Sequence, residues 1–287
     1  MTFSFVQIAD PQFGMYSQLS GIDNPAVDRL ANLGLMVERM PKAEGMGFEA
    51  ANHGKVIDAV NRLRPAFVAT CGDMTNDQDN PFEEHAELMR VTAGLSDDIP
   101  MHWVSGNHDV RGQPTHESLA RYRGMYGDDV YSFDHEESHF VVLNSTVIKS
   151  PENVEDECEL QLAFLEADLR EASAKGSRHM VVFTHHPPFL VYLEEANNWL
   201  VLPPERRLPM VDLFLETGVT HVFSGHWHRN HHGYYKDLEV VVTSSVGYPL
   251  GPDPSGLRVV QVGDDGIRHR FFPLDDLPDS LDLGAGG

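Results

Sequence analysis

The sequence is poor in positive charge. Its 287 residues include 21 lysines and arginines against 44 aspartates and glutamates, which gives a formal net charge of -23 at pH 7. Protonation of all 16 histidines would still leave the chain negative. Such a surface repels nucleic-acid phosphates and anionic lipids. We therefore expect no nucleic-acid partner and no membrane partner.

Cysteines are few, and long apolar runs and a leader-like start are missing. Cys71 and Cys158 alone are too few for a disulfide framework, so we expect free thiols in a reducing compartment. No apolar run approaches the ~20 residues of a membrane helix. The start, "MTFSFVQIAD", lacks the basic stretch, apolar core and cleavage site of a signal peptide. We expect a cytoplasmic protein, and the sequence carries no signal for an oligomeric state.

What recurs along the chain is a short apolar segment that ends in polar residues. Five such segments span residues 3–10, 66–73, 99–109, 179–186 and 219–228. They are rich in β-branched and aromatic residues, as strands are. Helical periodicity fills several intervals. In one of them Val56, Ile57 and Val60 share a face, and Asn52 is the expected N-cap.

Hairpin-like pairs at residues 130–144 and 233–245 interrupt this alternation. Alternating strands and helices with added hairpins predict a layered α/β domain with mixed sheets. We expect a single domain over residues 1–277 and a flexible tail over 278–287. The irregular segment 14–47 is either a surface excursion or a lid insertion beside the functional site.

The polar residues at the strand ends can meet, because loops at the carboxyl ends of strands gather in one crevice of an α/β sheet. They combine carboxylates, amides and imidazoles, a mixture that transition metals accept. The set is Asp10, Gln12, Asp73, Asn107, His108, His185, His226 and His228.

In sequence order these residues lie in "DPQ", "GDMTN", "GNHD", "THH" and "GHWH". This series resembles the motifs of the calcineurin-like metallophosphoesterases, and it extends over most of the chain. "DPQFG" is similar to one subgroup, the calcineurin-like phosphoesterase domain-containing proteins, which includes an animal serine/threonine protein phosphatase. The resemblance implies a four-layer α/β/β/α sandwich of two packed mixed β-sheets flanked by helices.

The resemblance also implies a dinuclear metal centre. One ion would be held by Asp10, Gln12, Asp73 and His228. The other would be held by Asp73, Asn107, His185 and His226, with Asp73 shared between the two. A solvent hydroxide between the ions would attack phosphorus. His108 would protonate the leaving oxygen as a general acid, and Asp109 would orient the turn or an imidazole.

Two positions depart from the family pattern. Gln12 stands where most members have histidine, and an amide oxygen is a weaker ligand for Zn or Fe than imidazole. We therefore expect Mn²⁺ or Mg²⁺, with Fe or Zn as alternatives. Asn76 replaces the aspartate that pairs with the catalytic histidine, which would weaken His108 or turn it differently. Of the adjacent His185 and His186, the family pattern favours the first as the ligand.

The remaining candidates have weaker support. Arg111 and Arg229 flank motifs and would clamp phosphate oxygens, with surface salt bridges as the alternative for each. We interpret His232 as a solvated loop residue. His221 and His269 have no motif context, so we interpret them as structural or surface residues.

The most concrete function is a metal-dependent phosphoesterase that hydrolyses phosphomonoesters. Its phosphorylated substrate is a small molecule or a phosphoprotein bearing phosphoserine or phosphothreonine. A phosphodiesterase for cyclic nucleotides or glycerophosphodiesters is the first alternative, because the same metal core serves both reactions. A non-catalytic scaffold with an incomplete site is the second.

Overall fold

The computed structural model describes residues 2–284 and contains two mixed β-sheets. In the first sheet the spatial order is β11-β10-β1-β2-β3. Its strands are Phe3–Ile8 (β1), Val68–Cys71 (β2), Met101–Val104 (β3), Gly256–Gly263 (β10) and Gly266–Pro273 (β11). Strands β1, β2 and β3 run parallel, so their carboxyl ends share one edge.

The second sheet has the order β4-β5-β6-β7-β9-β8. Its strands are Tyr131–His135 (β4), Ser138–Val142 (β5), His179–Phe183 (β6), Val219–Ser224 (β7), His231–Tyr235 (β8) and Leu238–Val242 (β9). Strands β5, β6, β7 and β9 are parallel, whereas β4 and β8 close the edges as antiparallel hairpin partners.

Helices cover the outer face of each sheet. Gly47–Leu63 (α3) packs Val56 and Val60 against the first sheet. Glu155–Lys175 (α8) and Pro204–Thr217 (α9) pack Leu165 and Phe214 against the second. The result is the expected α/β/β/α sandwich. The other helices are Met15–Leu19 (α1), Asn24–Asn32 (α2), Phe82–Thr92 (α4), Asn107–Val110 (α5), His116–Tyr126 (α6) and Ser145–Lys149 (α7).

Phenylalanines fill the space between the two sheets. Phe5 stacks on Phe67 with ring centroids 4.7 Å apart, and it meets Phe140, Phe183 and Phe223 edge-on at 5.7–5.8 Å. All five side chains are buried. Full burial of each contributes about 1.5–3 kcal/mol. Because close-packed rings resist displacement, this layer fixes the strand ends of both sheets relative to each other.

The Asn52 cap prediction is wrong. Helix α3 begins five residues earlier, at Gly47, so Asn52 lies inside it. The Asn52 amide donates instead to the backbone carbonyl oxygens of Val246 (3.2 Å) and Gly247 (3.3 Å). The side chain therefore ties α3 to the loop after β9, and a tertiary contact outweighs the capping preference of asparagine.

The segment 14–47 and the tail both pack on the domain where the structure describes them. Met15 and Val37 form an apolar cluster with Tyr248 and Leu250. Leu281, in the tail, packs against the cluster that contains β1 and α3. Residues 285–287 of the predicted tail lie outside the described residues. Both cysteines are free and buried, and no helix within residues 2–284 is long and apolar enough to span a membrane.

Candidate metal centre

The chain continues to pair beyond the ends of β1 and β2, and this pairing places the first ligands. The Asp10 N–H donates to the Gly72 carbonyl oxygen (3.0 Å), and the Gln12 N–H donates to that of Asp73 (2.9 Å). Phe13 and Thr75 extend the contact as a parallel bridge. Asp10 and Gln12 are thus held beside Asp73 by backbone hydrogen bonds.

The backbone turns sharply at these positions. Nine non-glycine residues in the described chain have positive φ, and five of them belong to the expected ligand set. Such conformations cost of order 1–3 kcal/mol each and concentrate at functional sites. Here they turn polar side chains off the strand ends into one space. The five are Asp10 (φ 49), Gln12 (φ 35), Asp73 (φ 52), His226 (φ 71) and His228 (φ 53).

His185 lies at the centre of one half of the site. Its Nε2 is 3.1 Å from Asn107 Oδ1, 3.2 Å from Asp73 Oδ2 and 3.1 Å from His226 Nδ1. One donor atom each of Asp73, His185 and His226 can be chosen so that all lie within 4.8 Å of one another. Three ligand atoms therefore converge on one point, and the Asn107 oxygen lies beside the His185 nitrogen.

The imidazoles of His185, His226 and His228 each have an outer ring nitrogen, which faces away from the site, and an inner one. The hydrogen bond of the outer nitrogen determines whether the inner nitrogen carries a proton. Each outer nitrogen donates to a backbone carbonyl oxygen, which leaves the inner nitrogen of the neutral ring with a lone pair. A nitrogen lone pair repels an amide or carboxylate oxygen that it faces, unless a cation lies between the two atoms. The contacts are His185 Nδ1 to Cys71 (2.9 Å), His226 Nε2 to Trp199 (3.1 Å) and His228 Nδ1 to Tyr248 (2.7 Å).

Gln12 supports the second half of the site. Its Nε2 donates to Asn76 Oδ1 (3.3 Å), while its buried Oε1 has no hydrogen-bond partner within residues 2–284. Nearby, His228 Nε2 lies 3.3 Å from Asp10 Oδ1. A buried oxygen without a partner is costly unless a ligand satisfies it. The residues present therefore fit a metal ion here as well.

Two glycines make room for the carboxylates. A Cβ at Gly106 would lie 2.1 Å from Asp73 Oδ1, and one at Gly225 would lie 2.5 Å from Asp10 Oδ2. Any larger residue would displace the carboxylate that it meets. The glycines of "GNHD" and "GHWH" are therefore required by close approach to these two aspartates.

The electrostatics of the cluster favour added positive charge. Burial alone would raise the pKa of Asp73, but the imidazoles of His185, His108 and His226 hold it well below its usual range. Burial likewise would lower the pKa of His185, yet the carboxylates of Asp73 and Asp10 raise it to about 9. The carboxylates thus draw a proton onto His185 at neutral pH, and metal ions would supply this charge instead.

The His108 ring is held by a backbone carbonyl group rather than by a carboxylate. The backbone N–H of His108 donates to Asp73 Oδ1 (2.8 Å), and its Nδ1 donates to the Asn76 carbonyl oxygen (2.6 Å). The main chain of Asn76 therefore occupies the role expected of an aspartate side chain. The Asn76 side chain instead bridges Gln12 and Gln18 Oε1, the latter at 2.9 Å.

Asp109 ties two loops of the site together. Its Oδ2 accepts from the Gly106 N–H (2.8 Å), and its Oδ1 accepts from the Met74 N–H (2.9 Å) and the Thr75 N–H (3.3 Å). It therefore holds the turn of "GNHD" against the turn that carries Asp73.

The two arginines are engaged with protein groups. Arg229 donates to the carbonyl oxygens of Leu250 and Gly34 and lies over the Trp227 ring at 5.4 Å. Arg111 pairs with Asp79 at 2.9 Å and is partly exposed. Arg229 thus joins the segment 14–47 to the loop after β9, and a clamping role for either arginine stays a prediction.

Sequence reasoning missed the carbonyl groups of Trp199 and Tyr248, which orient two of the imidazoles. Every residue type carries a backbone carbonyl, so no sequence signal marks them. His186 is buried, with Nδ1 3.1 Å from Ser145 Oγ and its ring 4.2 Å from that of His226. It packs behind the imidazole cluster, and His185 is the one that meets Asp73 and Asn107.

Comparison with known proteins agrees with this geometry. A family model described as calcineurin-like phosphoesterase matches residues 3–230. The chain is 36% identical over 281 residues to the serine/threonine-protein phosphatase CPPED1 of Bos taurus. This match covers 96% of this chain and 85% of the relative. It is 27% identical over 201 residues to a probable cyclic nucleotide phosphodiesterase of Rhodopseudomonas palustris, with 68% and 69% covered.

Among solved structures, a dimetal phosphatase from Danio rerio has the same fold. It matches with a TM-score of 0.58 at 17% sequence identity, over 93% of this chain and 98% of that one. Family model and sequence relatives together decide the assignment. The chain belongs to the calcineurin-like phosphoesterase family and is a hydrolase of phosphoric esters that depends on divalent metal ions.

Proposed function

We propose that this protein is a dinuclear, manganese-dependent phosphomonoesterase that acts on phosphoserine and phosphothreonine in proteins. The observation that carries the proposal is the inward orientation of three imidazole lone pairs beside Asp10 and Asp73, together with a buried Gln12 oxygen that has no hydrogen-bond partner among the described residues. The relative that covers 96% of the chain is named a serine/threonine-protein phosphatase, which supports the substrate class.

The contacts of the site support the two ligand sets that the family resemblance implies. Asp10, Gln12, Asp73 and His228 would hold one ion, and Asp73, Asn107, His185 and His226 would hold the other. Two such ions supply charge stabilisation for the phosphoryl oxygens and lower the pKa of a bound water. The protein residues fix this arrangement in advance, because outer hydrogen bonds orient each imidazole before substrate arrives.

His108 acts on the leaving group. Its Nδ1–H is committed to the Asn76 carbonyl oxygen, so Nε2 is the atom that transfers a proton. In the protonated ring Nε2–H donates to the oxygen that departs from phosphorus. General acid catalysis of this kind contributes about 10²–10⁴ in rate.

A polar cavity beside His108 supports a peptide-like leaving group. Its side chains are amides, a hydroxyl and carboxylates, which suit the hydrogen-bonding groups of a polypeptide better than an apolar ring or lipid. The lining residues are Gly14, Ser17, Gln18, Asn76, Asp77, Gln78, Glu84 and His108.

The test is hydrolysis of matched phosphoserine peptides after chelation and reloading with Mn²⁺, Mg²⁺, Zn²⁺ or Fe²⁺. We expect turnover with manganese, loss of turnover in Asp73→Asn, and inversion at a chiral phosphorus, because attack is direct. Retention of configuration would contradict direct attack. Tight, stoichiometric iron in the purified protein would contradict manganese, since Gln12 is a weak ligand for iron.

A phosphodiesterase is the second candidate, because a relative over 68% of the chain is named a probable cyclic nucleotide phosphodiesterase. Parallel turnover of p-nitrophenyl phosphate and its bis-ester separates the two functions. Faster hydrolysis of the bis-ester would favour the second candidate. Faster hydrolysis of the monoester would favour the first.

A further inference from the structure

A second group of metal-ligand side chains lies outside the centre described above, around Glu239 on β9. In the strand register His221 of β7 and Tyr234 of β8 lie directly opposite Glu239, so the three side chains share one face of the second sheet. His269 of β11 reaches the same carboxylate from the first sheet. His221 lies within β7, whereas His226 follows the end of that strand.

The spacing of the ligand atoms is that of a metal site. His221 Nε2 lies 3.4 Å from Glu239 Oε2, and His269 Nε2 lies 3.3 Å from Glu239 Oε1. A typical N–H···O bond is shorter, about 2.7–3.2 Å. Ligand atoms bound to tetrahedral zinc at 2.0–2.1 Å lie about 3.3–3.4 Å from one another. The three ligand atoms are all within 4.8 Å of one another.

Burial and charge fit a cation as well. The side chains of His221, Glu239 and His269 are only 12%, 17% and 7% exposed. Burial alone would raise the pKa of Glu239, but the imidazoles of His221, His232 and His269 hold it well below its usual range. The carboxylate is therefore ionised and already attracts positive charge.

His232 and solvent are both available for a fourth position. His232 Nδ1 lies 2.8 Å from Glu239 Oε1 and its side chain is 39% exposed. His221 Nδ1 lies 2.9 Å from Thr220 Oγ1, which can accept its proton and leave Nε2 free to bind. Imidazole nitrogen with one carboxylate is a common donor set for zinc.

Existing hydrogen bonds oppose binding and limit its strength. Glu239 Oε1 accepts from the Tyr234 hydroxyl at 2.8 Å. Arg258 Nη1 lies 2.9 Å from His269 Nδ1, so the neutral His269 ring carries its proton on Nε2. A metal at Nε2 moves that proton to Nδ1 and ends the hydrogen bond with Arg258. The guanidinium keeps its bonds to Thr243 Oγ1 (2.8 Å) and Asn230 Oδ1 (3.0 Å). Zinc binding here is therefore weaker than in a site whose outer contacts are all acceptors.

We propose that His221, Glu239 and His269 form a mononuclear zinc site, completed by His232 or water, that ties β11 of the first sheet to β7 and β9 of the second. The role is structural. The site joins the two sheets away from the phosphoester chemistry, so it does not depend on the proposed function.

Zinc stoichiometry tests the proposal. Chelator-treated protein is titrated with Zn²⁺ by calorimetry, for the wild type and for the variant His221→Gln/His269→Gln. We expect the variant to bind one equivalent fewer and to lose part of the zinc-induced rise in Tm. Its manganese-supported phosphatase activity should be unchanged, which would show that the fold and the proposed dinuclear centre are intact. His116→Gln, an exposed histidine on α6, is the matched control and keeps the wild-type stoichiometry.

A second pair of variants removes the zinc that the dinuclear centre would bind. In the background Asp73→Asn/His226→Asn, adding His221→Gln and His269→Gln should again abolish one zinc equivalent and its Tm increment. Equal stoichiometry within both pairs would overturn the proposal, and Glu239 would then be a carboxylate that only accepts hydrogen bonds. Loss of zinc in the His116→Gln control would overturn it too.

Discussion

Replacing Gly106 by alanine should displace the Asp73 carboxylate, which the two proposed metal ions would share. The added Cβ would lie 2.1 Å from Asp73 Oδ1 and 2.2 Å from the Asp73 backbone nitrogen. Carbon and polar atoms in ordinary contact are at least about 3.4 Å apart, so the two loops must separate by about 1.2 Å. The backbone of Gly106 and that of Asp73 both follow the ends of strands. Because the added Cβ meets backbone, movement of a flexible side chain cannot relieve the clash.

The separation removes two contacts of the site. The His108 N–H leaves Asp73 Oδ1, now 2.8 Å away, and Asn107 Oδ1 moves off His185 Nε2, now 3.1 Å away. A misplacement of about 1 Å at a reacting centre costs about 100-fold in rate. Overpacking costs about 1–3 kcal/mol of the free energy of unfolding. We therefore expect a large loss of kcat/KM from a protein that remains folded.

The assay compares Gly106→Ala with Gly112→Ala for kcat/KM, metal affinity and Tm. Gly112 is the matched control because nothing lies within 4 Å of a Cβ built there. The control should keep wild-type kcat/KM and metal affinity. If Gly106→Ala retains wild-type activity at subsaturating metal, the reasoning from close approach is refuted.

Three further perturbations test other parts of the molecule. His108→Gln should lower kcat/KM for a phosphoserine peptide by about 10²–10⁴, and less for an aryl phosphate whose leaving group needs no proton; equal losses would argue against a general acid. Gln12→His should lower the Zn²⁺ concentration for half-maximal activity, measured after chelation; an unchanged value would remove Gln12 from the ligand set. Burial lowers the pKa of His53 to about 4 from 6.5, so the unfolded chain binds the proton first as pH falls. Wild type should lose about 2 kcal/mol of unfolding free energy between pH 7.5 and 5 that His53→Gln does not lose, as urea titrations would measure; parallel pH dependence would contradict this.

The positions of the strand ends can be predicted from the sequence, because a polar residue follows each apolar strand where it reaches the edge of its sheet. Asp10, Asp73 and His185 each follow such a run. Parallel pairing of β1 with β2 brings the two aspartates together, and packing of the second sheet on the first brings His185 to them. The backbone conformation at these strand ends could not be predicted from the sequence. Asp10 and Gln12 adopt left-handed backbone although neither is glycine, and only continued pairing of the chain past β1 explains why.

Helix and strand limits were harder to predict where tertiary contacts decide them. Asn52 looks like a cap, but its partners lie near position 246, far along the sequence. His232 was interpreted as a loop residue, yet it belongs to β8 and pairs with Val241. The turn that follows contains Lys236 with φ 53 and no glycine, so the usual hairpin signal is absent.

The two departures from the family pattern depend on each other. Gln12 Nε2 donates to Asn76 Oδ1, and Asn76 Nδ2 donates to Gln18 Oε1 on α1. An asparagine can accept from one amide and donate to the other, whereas an aspartate could only accept and would require Gln18 to turn over. The amide at position 76 therefore fixes the Gln12 side chain with its oxygen free. A histidine at position 12 would bind zinc more strongly, but it would lose the hydrogen bond that Gln12 donates to Asn76, which offsets part of the gain. The same chain of amides links the metal site to α1, so displacement of the segment 14–47 must also move Gln12.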